Sequence, residues 1–266
     1  MKTDQILLDH GSGGQLSQRL VHDVILPVFG NPILNRLHDG AIFNLDSQRL
    51  AFSTDSYVVD PVFFPGGSIG DLAVNGTVND VAMCGGRPLY LSAGFIIEEG
   101  FSLADLKRVL KDMHRAAKEA GVTIVTGDTK VVHKGAVDKI FINTTGIGLI
   151  SDGVDVCSQN AEIGDRIILS GTIADHGMTI LTQRQGLTFD SPLKSDTAPL
   201  NHMVSQILTV GKAVHVLRDP TRGGVGTALN EIAQASTVGI RIDEQKIPIK
   251  NETTGICELL GFDPLY

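Results

Sequence analysis

GDLAVNGTVNDVAMCGG, residues 70–86, is an apolar helical pattern interrupted by two asparagines and an aspartate. At a period of 3.6 residues Val74, Val78, Val81 and Ala82 share one stripe, whereas Asn75, Gly76, Asn79 and Asp80 fall on the other side. Ser68 suits the N-cap, Asp71 the first turn, and Gly85-Gly86 followed by Pro88 the stop. A solvated surface face would account for a single aspartate. Two amides, a glycine and a carboxylate together predict a polar partner or ligand against that side, with Gly76 leaving room for it.

Working outward from this helix, His10–Gly14 (HGSGG) precedes Leu16, Leu20, Val21, Val24, Ile25 and Val28, which share a helical face. A glycine-rich loop opening a helix exposes backbone N–H groups where phosphate binds readily. It is neither a Walker A motif nor a Rossmann GxGxxG, and glycine turns are common. Two strand-like runs, Ala41 to Leu45 and Leu50 to Ser53, carry Asp39 before the first and Asp55 after the second. Carboxylates so placed converge on a cation or serve ordinary turns. Ser102 to Ala120 is the clearest helix, with a Ser102/Asp105 cap and a Gly121 stop. It feeds a strand over Val122–Val125 and then the turn Thr126-Gly127-Asp128-Thr129-Lys130, a place for phosphate or metal or a solvated loop. Lys139 to Ile150 reads as one strand or two, and periodicity is lost from Ser151 to Gly164. The domains expected are therefore 1–155 and 156–266. In the second, Arg166–Ser170 and Ala213–Leu217 read as strands. Helices follow Ala174-Asp175-His176-Gly177, Pro199 and the glycines of RDPTRGGVG (218–226), so that Asp219 is expected to meet Asp80 and Asp128.

The 266 residues suffice for two domains with a substantial core. Hydrophobic residues at 42% and charged residues at 20% are globular values. No apolar run approaches the roughly 20 residues of a membrane span. A net charge of -8 argues against a nucleic-acid surface, while leaving room for phosphate bound through metal ions. The start lacks the apolar core of a secretory signal, so a cytoplasmic location is expected. Cys84, Cys157 and Cys257 form no CxxC pair and read as buried thiols.

HGSGG, STDSYVVDPVFFPGG, GTVNDVAMCGG, GDTKVV, DHG, DPTRGG and CELLG, in this order, resemble the HypE family of hydrogenase maturation factors. That family lies in the PurM-like superfamily of aminoimidazole ribonucleotide synthetase and selenophosphate synthetase. The resemblance runs from His10 to Tyr266. It implies an α/β (α+β) two-domain PurM-like fold, dimerising through the sheet of its N-terminal domain and binding ATP and Mg²⁺. Matched motif by motif, Asp39, Asp80 and Asp219 would hold Mg²⁺. His10, Gly11, Ser12, Gly13, Gly14, Asp55, Asn79, Gly127, Asp128, Thr129 and Lys130 would surround the nucleotide, with Asp80 and Lys130 acting on the phosphoryl group. The implied reaction is ATP-dependent dehydration of a C-terminal cysteine S-carboxamide to S-cyanocysteine. HypF places the carbamoyl group, and HypC with HypD receives the cyanide.

This sequence stops at Asp263-Pro264-Leu265-Tyr266, whereas the family continues to a terminal Pro-Arg-Ile-Cys. The resemblance thus implies a C-terminal domain incomplete at the chain end and a missing acceptor cysteine. Three rival expectations are another PurM-like ATP-dependent synthetase, a non-catalytic dimeric partner-binding module, and a Cys-His hydrolase using Cys84.

Overall fold

The computed structural model describes residues 5–11, 14–187 and 193–266. The chain begins with α1 (Gly14–Leu20), a π-helical turn over Val21–Ile25 and α2 (Leu26–Phe29). The expected apolar face buries no residue of these elements, and Val28 remains 71% exposed.

Next come β1 (Ala41–Leu45), β2 (Gln48–Tyr57), β3 (Phe63–Phe64), β4 (Gly67–Ser68), α3 (Ile69–Met83), β5 (Gly86–Glu98), α4 (Leu103–Ala120), β6 (Thr123–Val132) and β7 (Ile140–Ile150). Five of the strands form one sheet in the order β1-β2-β7-β5-β6, while β3 and β4 make a small hairpin. All neighbours in the large sheet are antiparallel except β5 and β6. Those two run parallel, as their connection through α4 requires. Strand β6 is therefore at the opposite edge from β1.

Local signals explain the helices. The Ser68 backbone N–H donates to Asp71 Oδ2 at 2.9 Å and Gly70 N–H donates to Ser68 Oγ at 3.2 Å, closing a capping box at the head of α3. Asp105 N–H donates to Ser102 Oγ at the head of α4, and Gly121 ends that helix at a φ of 70°. One core lies between the helices and the sheet, with Val74 and Val78 meeting Leu91, Val109, Met113, Ile140 and Ile142. The other side of α3 is covered too. Asn75 is 5% exposed and Thr77 is fully enclosed, so α3 is a wall between two parts of the chain.

The second half contributes α5 (Asp175–Arg184), α6 (Asn201–Ile207), α7 (Gly224–Ser236) and α8 (Asn251–Leu260). Helix α6 tightens into a 3-10 stretch at Leu208–Ala213. Among the described residues after Ile150 no strand is assigned, which corrects the strands expected at 166–170 and 213–217. A strand needs a neighbour along its length. Here the backbone bonds are isolated, such as Cys157 N–H to His215 O at 3.1 Å, and Ile168 is left 86% exposed. Val204 of α6 packs on Ala82 and Met83 of α3, with Leu200, Leu208 and Leu217 around them. The buried anchor of α5 is Asp175, which accepts from Thr172 and from Thr253 of α8 and pairs with Lys250 at 2.7 Å.

Candidate functional site

Asp80 lies in the last turn of α3, Asp39 just before β1, and Asp219 on the segment between the 3-10 stretch and α7. Ser53 Oγ, on β2, sits 2.8 Å from Asp80 Oδ2 and 3.2 Å from the Asp39 carbonyl oxygen, linking the first two. The Asp219 carboxyl reaches those of both Asp39 and Asp80. Thr221 Oγ donates to Asp219 at 2.8 Å. Two arginines arrive with the same segment. Arg218 pairs with Asp39 and, at 2.7 Å, with Glu231, while Arg222 pairs with Asp55 at 3.2 Å.

Crowded acids with little water hold protons tightly. Burial, then the Asp219 charge, push the Asp39 carboxyl up to about 8 against the opposing pull of Arg218. Asp80 is raised by the same two causes, partly offset by the Ser53 hydrogen bond. Asp39 Oδ2 is buried without a hydrogen-bond partner. A hard divalent cation suits these oxygen donors, and it would relieve both the repulsion and the orphaned oxygen. Among the described residues no three acidic, His or Cys side chains form a ready-made ligand set, so the carboxylates converge without closing on one point.

The other expected site residues divide. Gly127, Asp128, Thr129 and Lys130 lie within β6 and not in a turn after it. They pair with Ala93–Ile96, and a Cβ on Gly127 would stand 2.2 Å from the Ala93 carbonyl oxygen, so this glycine allows strand contact. Strands β5 and β7 separate β6 from β2, three spacings that amount to about 14 Å. Asp128 therefore does not join Asp80 and Asp219 within one chain, contrary to expectation. A groove of about 990 Å³ between α4 and β5–β6 borders Gly127, Asp128 and Thr129, away from the carboxylates.

His10 is 5% exposed and its Nδ1 accepts from Leu7 N–H at 2.9 Å, so its ring faces the protein. Gly11 ends a 3-10 turn and Gly14 opens α1, while Ser12 and Gly13 lie outside the described residues. The room at Gly76 is taken by the Tyr57 hydroxyl, 2.2 Å from where a Cβ would sit. The amide of Asn79 is engaged by the backbone of Ala198 and Leu200. Sequence reasoning missed Ser53, Arg218, Arg222 and Glu231. Two arginines flanking Asp219 in an acidic chain were the available signal. Cys84 does have a base nearby, the His38 Nδ1 at 3.9 Å. Cys84 is 1% exposed, and burial, then the Asp39 and Asp80 charges, push its thiol up to about 12, the opposite of what the Cys-His hydrolase reading needs.

Both halves match the AIR synthase related protein family, its N-terminal domain over residues 37–150 and its C-terminal domain over residues 162–266. Fold and site thus define a two-domain PurM-like protein. A thiamine monophosphate kinase from Aquifex aeolicus, 22% identical over 95% of this chain and 84% of its own, shares the fold with a TM-score of 0.74. The carbamoyl dehydratase HypE of Cupriavidus necator is 50% identical over 100% of this chain and 76% of its own length. A HypE crystallised with ATP is 55% identical over 98% of this chain and 78% of its own, with a TM-score of 0.80. A HypE–HypF complex gives 0.88 at 52% identity, covering 92% of this chain and 80% of the matched one. The chain belongs to the HypE family.

Proposed function

We propose that this protein is an ATP-dependent carbamoyl dehydratase of hydrogenase maturation, converting a cysteine S-carboxamide into a thiocyanate. The observation that carries the reading is the meeting of Asp39, Asp80 and Asp219 beside Arg218 and Arg222, with an orphaned carboxylate oxygen among them. An amide oxygen leaves poorly until it is phosphorylated. ATP transfers its terminal phosphoryl group to that oxygen, the nitrogen gives up its protons, and the C–O bond breaks as phosphate departs, leaving C≡N. The net change is loss of one water for each ATP converted to ADP and phosphate.

Asp39, Asp80 and Asp219 are the residues that would hold Mg²⁺, which when bound supplies charge to offset that on the phosphoryl oxygens. Arg222, half paired with Asp55 and 59% exposed at its side chain, is free to turn to a phosphate. The loop from His10 to Gly14 is the one we assign to the phosphates.

The strand order supports a site shared between two copies. Lys130 and Asp128 stand at the far edge from the carboxylates, and a homodimer formed through the sheets would bring β6 of one copy to the cluster of the other. The domains are assigned as 1–155 and 156–266. HypF is the expected carbamoyl donor, because the HypE matched above forms a complex with it. HypC with HypD would accept the cyanide. No helix among the described residues is long and apolar enough to cross a membrane, in keeping with work in the cytoplasm.

The test supplies a synthetic peptide ending in S-carbamoyl cysteine together with Mg-ATP and follows peptide mass and phosphate release. The expected result is loss of one water per phosphate released, abolished by Asp80→Asn. Phosphate release with unchanged peptide mass would refute the dehydratase reading.

A further inference from the structure

On the polar side of α3, Asn79 immediately precedes Asp80 in the chain. Its Nδ2 donates to the Ala198 carbonyl at 3.0 Å, and its Oδ1 accepts from Leu200 N–H at 2.8 Å. One turn earlier, Asn75 Nδ2 donates to Thr197 Oγ1 at 3.1 Å. Both amides grip one short strap, residues 195–202, which enters α6. Its far ends are also held. Ser195 N–H donates to the Pro65 carbonyl at 2.9 Å, and Asn201 Nδ2 donates to the Ala120 carbonyl at 2.8 Å.

The strap leads to the carboxylate cluster through packed atoms. Leu200, at the head of α6, and Val204 within it join Ala82 and Met83 of α3, and Leu217 completes the same cluster. Leu217 is the residue before Arg218 and Asp219. Helix α3 thus carries Asp80 itself and clamps the element on which Asp219 is hung. The amide of Asn79 has both its oxygen and its nitrogen bonded to the strap.

We propose that Asn79, supported by Asn75, is a positioning residue that fixes Asp219 against Asp80 and Asp39. The proposal rests on the reading of these carboxylates as the Mg²⁺ site. An amide suits the task because it offers a donor and an acceptor in one plane, matched to a carbonyl and an N–H two residues apart on the strap. It adds no charge to an already crowded acidic cluster. A loosened strap leaves each carboxylate intact and spreads them apart, so the loss falls on metal binding before it falls on the nucleotide.

The experiment compares the full chain with Asn79→Ala, which removes both strap bonds, and Thr197→Val, which removes the Asn75 bond from the opposite side. Two measurements are made, Mg²⁺ titration at saturating ATP and peptide-level hydrogen exchange without nucleotide. The Mg²⁺ half-saturation of Asn79→Ala should rise about tenfold or more. ATP affinity at saturating Mg²⁺ should change little, and Thr197→Val should shift in the same direction by less. Exchange should rise over 197–208 and also over 217–222, with the sheet unaltered. An unchanged Mg²⁺ requirement, or an exchange increase confined to 197–202, would overturn the proposal. Loss of ATP affinity at saturating Mg²⁺ would make Asn79 a nucleotide ligand instead and equally overturn it. A wild-type chain indifferent to Mg²⁺ would remove the metal-site reading, and the spread of exchange into 217–222 would then decide the tie alone.

Discussion

In the metal-free chain the Asp39→Asn substitution should stabilise the fold, and by more as the pH rises. Asp39 titrates near 3.8 when unfolded and at about 8 in the folded protein, so between those values the folded state binds the extra proton. Stability then falls as pH rises, at about 1.4 kcal/mol per pH unit for this one group. At pH 7, about three units above the unfolded value, the burden is roughly 4 kcal/mol. The change also removes the Asp39 charge that helps raise Asp80 and Cys84, and an asparagine at position 39 can still accept from Arg218. Urea unfolding with a chelator present, from pH 6.5 to 8, is run on wild type and variant side by side, because Asp80, raised like Asp39, and His215, raised by its bond to Asp165, add to the slope of both and only the difference reads Asp39. Wild type should lose stability across the window, whereas the variant should be more stable at pH 8 and show a shallower slope. Added Mg²⁺ should flatten the wild-type slope while doing little for the variant. Metal-free stability that rises with pH, or a variant less stable than wild type at pH 8, would refute the account of Asp39 as a buried acid awaiting a cation.

Gly127→Ala should destabilise the fold by about 2 kcal/mol or more, because its Cβ would meet the Ala93 carbonyl and part β5 from β6; chemical denaturation reads it. Burial alone would raise the Asp175 carboxyl, but Lys250, Thr172 and Thr253 together hold it below the usual range. Its contribution is present above the unfolded value and lost as pH falls below it, so Thr253→Val should cost about 1–3 kcal/mol at pH 7 and less in acid, measured by thermal unfolding. Sedimentation at micromolar concentration should report twice the chain mass, and a clean monomer would remove the shared-site reading.

What the sequence made legible was local. Ser68 with Asp71 and Ser102 with Asp105 are caps whose partners lie within three residues, and both helices begin where those residues place them. The carboxylates at 39, 80 and 219 were named from motif resemblance, and the structure brings them together. Strand order was not legible, since it depends on pairings such as Asp55 with Thr144, far apart in sequence. That is why Asp128 was placed with Asp80. The exposed edge strand β6 also read as a turn, because its second half carries polar residues where an inner strand would be apolar. Asn75 and Asn79 signalled a polar contact, but nothing local distinguishes a ligand from a strap of the same chain.

Placing the carboxylates and the lysine-bearing strand at opposite edges of one sheet has a genetic consequence. If the site is shared between two copies as proposed, two chains, each disabled by a different lesion, complement one another. A dimer of one Asp80→Asn chain and one Lys130→Ala chain would contain one doubly damaged site and one intact site. Mixed stocks of the two inactive proteins should therefore regain up to about a quarter of wild-type turnover after random subunit exchange, since half the dimers are mixed and each holds one good site of two. Two lesions on the same edge, Asp39→Asn and Asp80→Asn, should show no such rescue.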